Sequence, residues 1–212
     1  MKAGIVAIFV NPVDRDGITP ALDALAAANI PMFGFDTQVT EASYLVTYAG
    51  SDNYNAGYVC GLDLVEKCPE GGDIIVLDSP TMQSVVDRTD GFLAAIEGKG
   101  FNVVAQLDSM GNQELGNENG TDALTANPGA VAIFGGNDPT ALGAYAAAEA
   151  AGSKAFIYGV DGSPDIKALI AEGKVTGSGA QSPMTIGKTI AELYYKWAAG
   201  EAVEASYPIE TF

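Results

Sequence analysis

Short apolar runs alternate with segments of helical periodicity along the whole chain. The runs have the length and β-branched content of strands, and they cover residues 4–10, 31–35, 44–48, 73–77, 102–107, 130–134, 155–160 and 175–179. Apolar residues at helical spacing fall mainly within residues 19–29, 53–67, 85–98 and 185–198. Strands that are apolar throughout, with amphipathic helices between them, are typical of parallel sheets covered on both faces. The pattern therefore predicts an α/β fold built on parallel sheets.

Carboxylate and carboxamide side chains stand where the predicted strands end. The positions are Asn11, Asp36, Asp78, Asp108, Asn137, Asp138, Asp161 and Gln181. Open parallel sheets bind ligands beyond the carboxyl ends of their strands, but Asp and Asn are also common helix N-caps. Asp138, which precedes Pro139, is interpreted as such a cap. A cap at Asp138 leaves Asn137 unexplained, so the whole set favours a ligand site over capping alone.

The acidic composition excludes several classes of function. The chain of 212 residues has 10 Lys and Arg against 27 Asp and Glu, a net charge of −17, and no His. Nucleic acids and anionic membranes bind basic surfaces, so neither is expected as a partner. The lack of His excludes Ser-His-Asp triads and His-ligated zinc. The length allows one large domain or two small lobes.

The strand-end side chains suit a neutral ligand with many hydroxyl groups. Asp36 and Asp161 can accept hydroxyl protons, and Asn137 and Gln181 can both donate and accept. Arg88 adds a guanidinium donor. The chain contains no nucleophile elbow, Walker A sequence or dinucleotide-binding sequence after a strand. We therefore expect no enzyme activity and no cofactor.

The sequence offers little support for a metal site or a disulfide. Residues 14–17 resemble the start of a calcium loop, but Ile18 and the lack of a following Glu break that pattern. Cys60 and Cys68 are eight residues apart. On a helix that spacing is about 12 Å, which is too far for a disulfide. We expect no bound metal.

Eight short segments, taken in their order along the chain, resemble one known family. They are NP at 11–12, FDTQ at 35–38, GSDN at 50–53, DRTDGF at 87–92, GND at 136–138, ALG at 141–143, GVDG at 159–162 and AQSP at 180–183. Together they resemble the type I periplasmic sugar-binding proteins, close to the ribose-binding branch. Each segment alone is a weak signal, whereas the ordered set along the whole chain is specific.

The resemblance implies two Rossmann-like lobes with parallel sheets, which is the type I periplasmic binding protein fold. The first lobe is expected to comprise residues 1–50 and 182–207, and the second residues 51–181 and 208–212. By the predicted strands the second lobe is complete with five, and the first is incomplete with three. The family implies two further strand–helix units before residue 1. The apolar strand at 4–10 is therefore expected to have an unpaired edge, which favours self-association.

The resemblance also implies the function, which is capture of a monosaccharide or related polyol for a membrane ABC permease and in some relatives for a chemoreceptor. The sugar ligands carried over to this sequence are Asp36, Arg88, Asn137, Asp161 and Gln181. The implied location is periplasmic or extracellular, and a membrane-tethered lipoprotein is one form of it. The ribose-binding branch often has Arg where this chain has Thr37 and an aromatic residue near Gly111. The resemblance therefore does not name the sugar.

The alternative is the effector-binding core of a lactose-repressor-type transcription regulator, which shares the implied fold. Such a regulator needs a helix-turn-helix and usually a basic N-terminal region, and the sequence contains neither. The third hypothesis, an enzyme on a doubly wound sheet, has no nucleophile and base to support it. The sequence predicts a solute-binding protein for a sugar or sugar-like ligand.

Overall fold

The computed structural model describes residues 4–212, which form an α/β fold of parallel sheets as predicted. The strands are β1 (Ile8–Val10), β2 (Met32–Phe35), β3 (Leu45–Ser51), β4 (Gly72–Asp78), β5 (Phe101–Asp108), β6 (Ala132–Gly135), β7 (Phe156–Asp161), β8 (Gly177–Ala180) and β9 (Ser206–Ile209). The α-helices are α1 (Thr19–Ala27), α2 (Asn53–Lys67), α3 (Gln83–Ile96), α4 (Gln113–Ala126), α5 (Asp138–Ala151), α6 (Pro164–Ala171) and α7 (Pro183–Ala198). Residues 1–3, which the sequence assigns to the first lobe, lie outside the described residues.

The chain divides into two compact units. The first unit holds the described residues up to Asp52, Thr81–Ser84 and Ser182–Glu210. The second unit holds Asn53–Pro80, Val85–Gln181 and Thr211–Phe212. The first contains a parallel sheet in the order β1-β2-β3-β9, and the second a parallel sheet in the order β5-β4-β6-β7-β8.

The prediction of three strands in the first lobe was wrong, because β9 adds a fourth that pairs with β3. Its sequence is Ser-Tyr-Pro-Ile, with no apolar run. Pro208 cannot donate a ladder hydrogen bond, and proline is tolerated in this way only at the edge of a sheet. The strand lies at such an edge, so its formation depends on β3 rather than on its own sequence.

The sheet of the second unit is buried on both faces, as its continuous apolar strands predict. Alternate residues of β4 point to opposite faces. Ile74 and Val76 pack with α2 and α3 residues in one core cluster, and Ile75 and Leu77 pack with α4 and α5 residues in another. These four side chains are completely buried. The sheet is therefore a rigid base for the loops that follow its strands.

In the first unit the sheet packs between α1 and α7. Leu22 of α1 packs with Val10 and Met32 in one core cluster. Leu193 of α7 packs with Phe33 in a second cluster. The first strand is shorter than the predicted 4–10, since it begins at Ile8. The reason is that Ile8 pairs with Met32, so extending the ladder toward residue 4 would require an N–H from Pro31, which has none.

Candidate functional site

The carboxyl end of β7 presents Asp161 in a backbone conformation that few residues adopt. Asp161 has a φ of +145° and Gly162 a φ of +71°, so the chain turns sharply after the strand at a cost in strain. The Asp161 side chain accepts a hydrogen bond from Gln181 Nε2 at 2.6 Å and forms an ion pair with Arg88 Nη1 at 3.1 Å. The structure therefore brings three of the predicted site residues into direct contact.

Arg88 reaches this cluster from α3, and its side chain is almost completely buried. Its Nε donates to Asn53 Oδ1 at 2.9 Å, and its Nη1 donates to the carbonyl of Gly136 at 3.0 Å. The helix can approach so closely because α2 carries Gly57, where a Cβ atom would lie 1.8 Å from the Arg88 carbonyl oxygen. The hydrogen bonds and the ion pair of Arg88 within the described residues use Nε and Nη1, which leaves the two N–H groups of Nη2 for a ligand.

The assignment of the α5 cap to Asp138 was wrong, because Asn137 is the N-cap residue. Asn137 Oδ1 accepts from Thr140 N at 3.0 Å, and its Nδ2 donates to the Gly111 carbonyl at 3.1 Å. Its extended backbone (φ −150°, ψ +169°) places it before the helix. Asn137 follows Gly136, whose carbonyl binds Arg88, and precedes Asp138, whose N–H binds Asp161, but its own side chain contacts neither Arg88 nor Asp161 in the described hydrogen bonds.

Asp138 is the first residue of α5 and is completely buried. Its backbone N–H donates to Asp161 Oδ2 at 3.3 Å. Its two carboxylate oxygens accept from Ser163 N at 2.6 Å and from Ser178 Oγ at 2.7 Å. The predicted cap is therefore a buried anion that connects the loops after β6 and β7 with β8.

Burial raises the pKa of Asp161 above its ordinary value, and the negative charge of Asp138 acts in the same direction. Arg88, the Asp138 N–H and the Gln181 amide lower that pKa, but they do not cancel the effect of burial. A carboxylate in this position is a strong acceptor that is lost when the group becomes protonated.

Asp36 belongs to the first unit, where it follows β2 in a left-handed conformation with a φ of +64°. Asn11 holds this turn, because its Nδ2 donates to Asp36 Oδ2 at 3.0 Å and its Oδ1 accepts from Thr37 N at 3.3 Å. The Tyr48 hydroxyl donates to the Asp36 carbonyl oxygen. Asp36 is thus presented at a strand end, as Asp161 is in the second unit.

Sequence reasoning missed Asn53 as a partner of Arg88 and Ser178 as a partner of Asp138. Asn53 starts α2 and is only 5% exposed. Its place in the segment GSDN is the only signal in the sequence that could have pointed to it.

Among residues 4–212, no group of three or more His, Cys, Asp or Glu side chains is placed to hold a metal ion. Asp14 Oδ1 instead accepts from the backbone N–H groups of Asp16 and Gly17, at 3.0 and 2.8 Å, in a local turn. The two thiols are free. No helix in the described part of the chain is both long and apolar enough to cross a membrane.

A cavity of about 590 Å³ opens in the second unit at the amino ends of β7 and β8. It is lined by Lys67, Lys154 and Lys174, with Tyr145 and Ile170. Asp161 stands at the opposite end of β7, so this cavity is separate from the cluster of predicted site residues.

The arrangement at the carboxyl ends of β6, β7 and β8 offers one partly exposed carboxylate, two carboxamides and a guanidinium on rigid elements. Such a set can accept hydroxyl protons and donate to hydroxyl oxygens at the same time. It contains no nucleophile paired with a base. Its chemistry is that of binding a neutral, hydroxyl-rich molecule.

Comparisons with known proteins agree with this chemistry. A family model described as a periplasmic binding protein domain matches residues 1–202. The ribose import binding protein of Escherichia coli (strain K12) is 34% identical over 209 residues, which cover 98% of this chain and 70% of that protein.

Two solved structures with bound sugars superpose closely on this chain. An ABC transporter periplasmic solute binding protein from Actinobacillus succinogenes 130z, with bound D-allose, matches with a TM-score of 0.88 and 28% identity over 99% of this chain and 78% of its own. An ABC transporter solute binding protein from Agrobacterium vitis, with bound D-fucose, matches with a TM-score of 0.91 and 26% identity over 99% of this chain and 74% of its own.

Proposed function

We propose a function for this chain on the premise that it belongs to the periplasmic binding protein domain family. It is a solute-binding protein of the type I periplasmic binding protein fold that captures a sugar or sugar-like ligand for an ABC importer. The family implies a periplasmic location, and its relatives described above are transport proteins rather than enzymes. The repressor alternative gains no support from them.

The observation that carries the assignment of the site is the contact of Asp161 with Arg88 and Gln181 at the carboxyl ends of neighbouring strands. Parallel sheets bind ligands at this edge. Asn137 borders the same cluster through Gly136 and Asp138, which bind Arg88 and Asp161. We infer that these four side chains contact the sugar.

The cluster can exchange its internal hydrogen bonds for bonds to a sugar. A hydroxyl group donates once and accepts twice. It can therefore donate to Asp161 in place of Gln181 Nε2 while it accepts from that amide or from Nη2 of Arg88. Because Arg88 keeps its bonds to Asn53 and Gly136 throughout, the guanidinium stays oriented. The gain over water then comes from fixed, already oriented donors and acceptors.

Asp36 is the proposed contribution of the first unit. Its left-handed backbone and its bond to Asn11 fix the carboxylate at the end of β2. An Asp36→Asn variant tests this assignment, since it keeps the shape and removes the charge. We expect weaker sugar binding without loss of stability, and unchanged binding would remove Asp36 from the site.

The proposal also covers the proteins that this chain is expected to contact. We expect delivery of the sugar to a membrane permease, with a chemoreceptor as a further partner, and a lipid-tethered form as one way to hold the protein near its permease. Self-association through the first unit is supported by β1, which pairs only with β2 in the described sheet. Co-purification with a permease and gel filtration test these two interactions separately.

A thermal-shift screen tests the function. D-Ribose, D-allose, D-fucose and further pentoses, hexoses and polyols are added singly. A ligand at 100 times its Kd should stabilise the protein by about 2.7 kcal/mol. The same sugar should not stabilise an Asp161→Ala variant, and a chelator should leave the effect on the native chain unchanged. If no sugar raises the melting temperature, the proposed function is wrong.

A further inference from the structure

The buried carboxylate of Asp138 supports the residue that the proposed function places on the ligand. None of its surface is exposed. It accepts from Ser163 N, two residues beyond Asp161, and from Ser178 Oγ on β8. The Ser178 hydroxyl in turn accepts from Gly162 N at 3.0 Å. The N–H groups of Gly162 and Ser163 are therefore both held, directly or through Ser178, by one buried anion.

The turn that these bonds hold is the strained one. Asp161 has a φ of +145° although it is not glycine, and such a conformation persists only where surrounding contacts determine it. The Asp138 N–H adds a direct bond to Asp161 Oδ2 at 3.3 Å. Asp138 thus contacts the backbone after Asp161 with its side chain and the Asp161 carboxylate with its own backbone.

The chain also leaves space for this carboxylate. A Cβ atom at Gly159 on β7 would lie 2.6 Å from Asp138 Oδ1. Gly159 has no positive φ that would itself require glycine, so the lack of a side chain there serves the close approach of α5, through Asp138 and through Ala141, whose Cβ would lie 2.9 Å from the added atom. A helix cap does not need such a recess, and Asn137 already caps α5.

We propose that Asp138 is a positioning residue, whose buried carboxylate holds the turn 161–163 in the conformation that presents Asp161 to the sugar. The inference rests on the proposed function for the identity of the ligand. Both carboxylate oxygens accept hydrogen bonds, one of them from a backbone N–H that can only donate. An ionised carboxylate satisfies both donors, whereas an amide presents a donor to one of them.

Asp138 also acts on Asp161 through its charge. The charged and titratable groups around this turn are Arg88 from α3, Asp138 from α5, Lys167 of α6 beside Gly162, and the buried Cys60 thiol from α2. The negative charge of Asp138 raises the pKa of Asp161. Sugar binding that needs ionised Asp161 is therefore lost as the pH falls through that pKa. Removing the Asp138 charge should move this loss to lower pH.

The test uses Asp138→Asn, with Asp165→Asn in the first turn of α6 as a matched control on an exposed aspartate. Sugar affinity is measured by calorimetry from neutral to acid pH, with the sugar found in the screen. The carboxyl carbon of Asp161 is titrated by NMR in the same proteins without sugar. We expect Asp138→Asn to lose about tenfold in affinity at neutral pH and to titrate Asp161 at lower pH, while the control matches the native chain.

If Asp138 served only the stability of the fold, Asp138→Asn would weaken binding by the same factor at every pH, and Asp161 would titrate as it does in the native chain. That result overturns the proposal. Affinity within twofold of the native value overturns it as well. If Asp138→Asn does not fold, Ser178→Ala decides, since it removes one bond to the carboxylate but keeps the charge. That variant should lose at least threefold in affinity, while its affinity should fall at the same acid pH as that of the native chain. Unchanged affinity contradicts the proposal. If no sugar binds the native chain, the proposed function fails, but the NMR titration still decides the role of Asp138.

Discussion

Arg88 both connects several elements of the second unit and pairs with the charge of Asp161. Its Nε and Nη1 are fixed by Asn53 Oδ1 and the Gly136 carbonyl, and the same Nη1 balances the charge of Asp161. A guanidinium can do this because its donors diverge in one plane, whereas an ammonium presents a single point of charge. The residue therefore joins α2, α3 and the loop after β6, and under the proposed function it also holds Nη2 ready to donate to the sugar.

An Arg88→Lys variant should lose both tasks. A lysine cannot reach Asn53, Gly136 and Asp161 together, so at least one of these acceptors loses the hydrogen bond that Arg88 supplies, at a cost of about 1–3 kcal/mol. We expect this loss in urea unfolding and a further loss of sugar affinity by calorimetry. Arg15→Lys, at the other arginine of the chain, is the matched control. Equal stability of the two variants would contradict the structural role of Arg88.

The two thiols should differ strongly in reactivity. Burial raises the pKa of Cys60 to about 12, and its Sγ lies 3.5 Å from the Gly159 carbonyl. Cys68, just after α2, is only partly buried. Since the thiolate is the reactive form, iodoacetamide at pH 8 should label Cys68 alone, and Cys60 only after unfolding. Peptide mass spectrometry measures this, and rapid labelling of Cys60 in the folded protein would contradict its burial.

At the scale of elements, the site depends on how closely α2 and α3 cross. Glycines at 57, 61 and 91 face the opposite helix, and a Cβ atom at any of them would lie 1.8–2.6 Å from the nearest neighbouring atom. Ridge-and-groove contacts of larger residues keep helix axes 8–10 Å apart, so glycine at the crossing allows a closer approach. This approach brings Asn53 and Arg88 to hydrogen-bonding distance.

Adding one methyl group at this crossing should therefore disturb both stability and the site. Gly57→Ala would place Cβ against the Arg88 carbonyl, and such overpacking costs about 1–3 kcal/mol. Gly187→Ala in α7 is the control, because nothing lies within 4 Å of its Cβ. There the better helix propensity of alanine should stabilise by about 0.5–1 kcal/mol. Urea unfolding of the two variants should give opposite signs, and equal effects would refute the close crossing.

The sequence predicted the elements that carry their own signal. The β4 run Ile-Ile-Val-Leu is apolar at every position, and residues 53–67 form a helix with the predicted bounds. The strand β9 could not be predicted, since its pairing with β3 supplies what its own residues lack. The exchange of roles between Asn137 and Asp138 depends on the backbone angles at one peptide, which residue types do not determine.

The sequence indicated the candidate ligand residues but not the residues that hold them in place. Residue types at strand ends and the family resemblance together indicated Arg88, Asn137, Asp161 and Gln181. The supporting residues could not be predicted, because Asn53 lies 35 positions from Arg88 and Ser178 lies 40 positions from Asp138. Hydrogen bonds across such separations are created by packing, and no local pattern encodes them.

At the scale of the whole molecule, charge and exposed apolar surface act against each other. A net charge of −17 keeps copies of the chain apart at low ionic strength. The start of the first unit nevertheless exposes Val6 to 69% and Ile5 and Phe9 to 44% each. In the described sheet β1 has a partner on one side only, so its other edge offers unpaired N–H and C=O groups.

We therefore expect the 212-residue chain to self-associate through β1, and more strongly as salt screens the charge. Light scattering should show a mass above 21.7 kDa that rises with ionic strength. Val6→Lys should reduce it, because a charge beside an edge strand opposes pairing. Val13→Lys is the control, with 71% exposure but a position beyond the strand.

Hydrogen exchange adds a second measure, since amides 6–9 should exchange faster than those of Ile74–Leu77 in the monomer. A sharp monomer at all salt concentrations, with both segments equally protected, would refute this prediction.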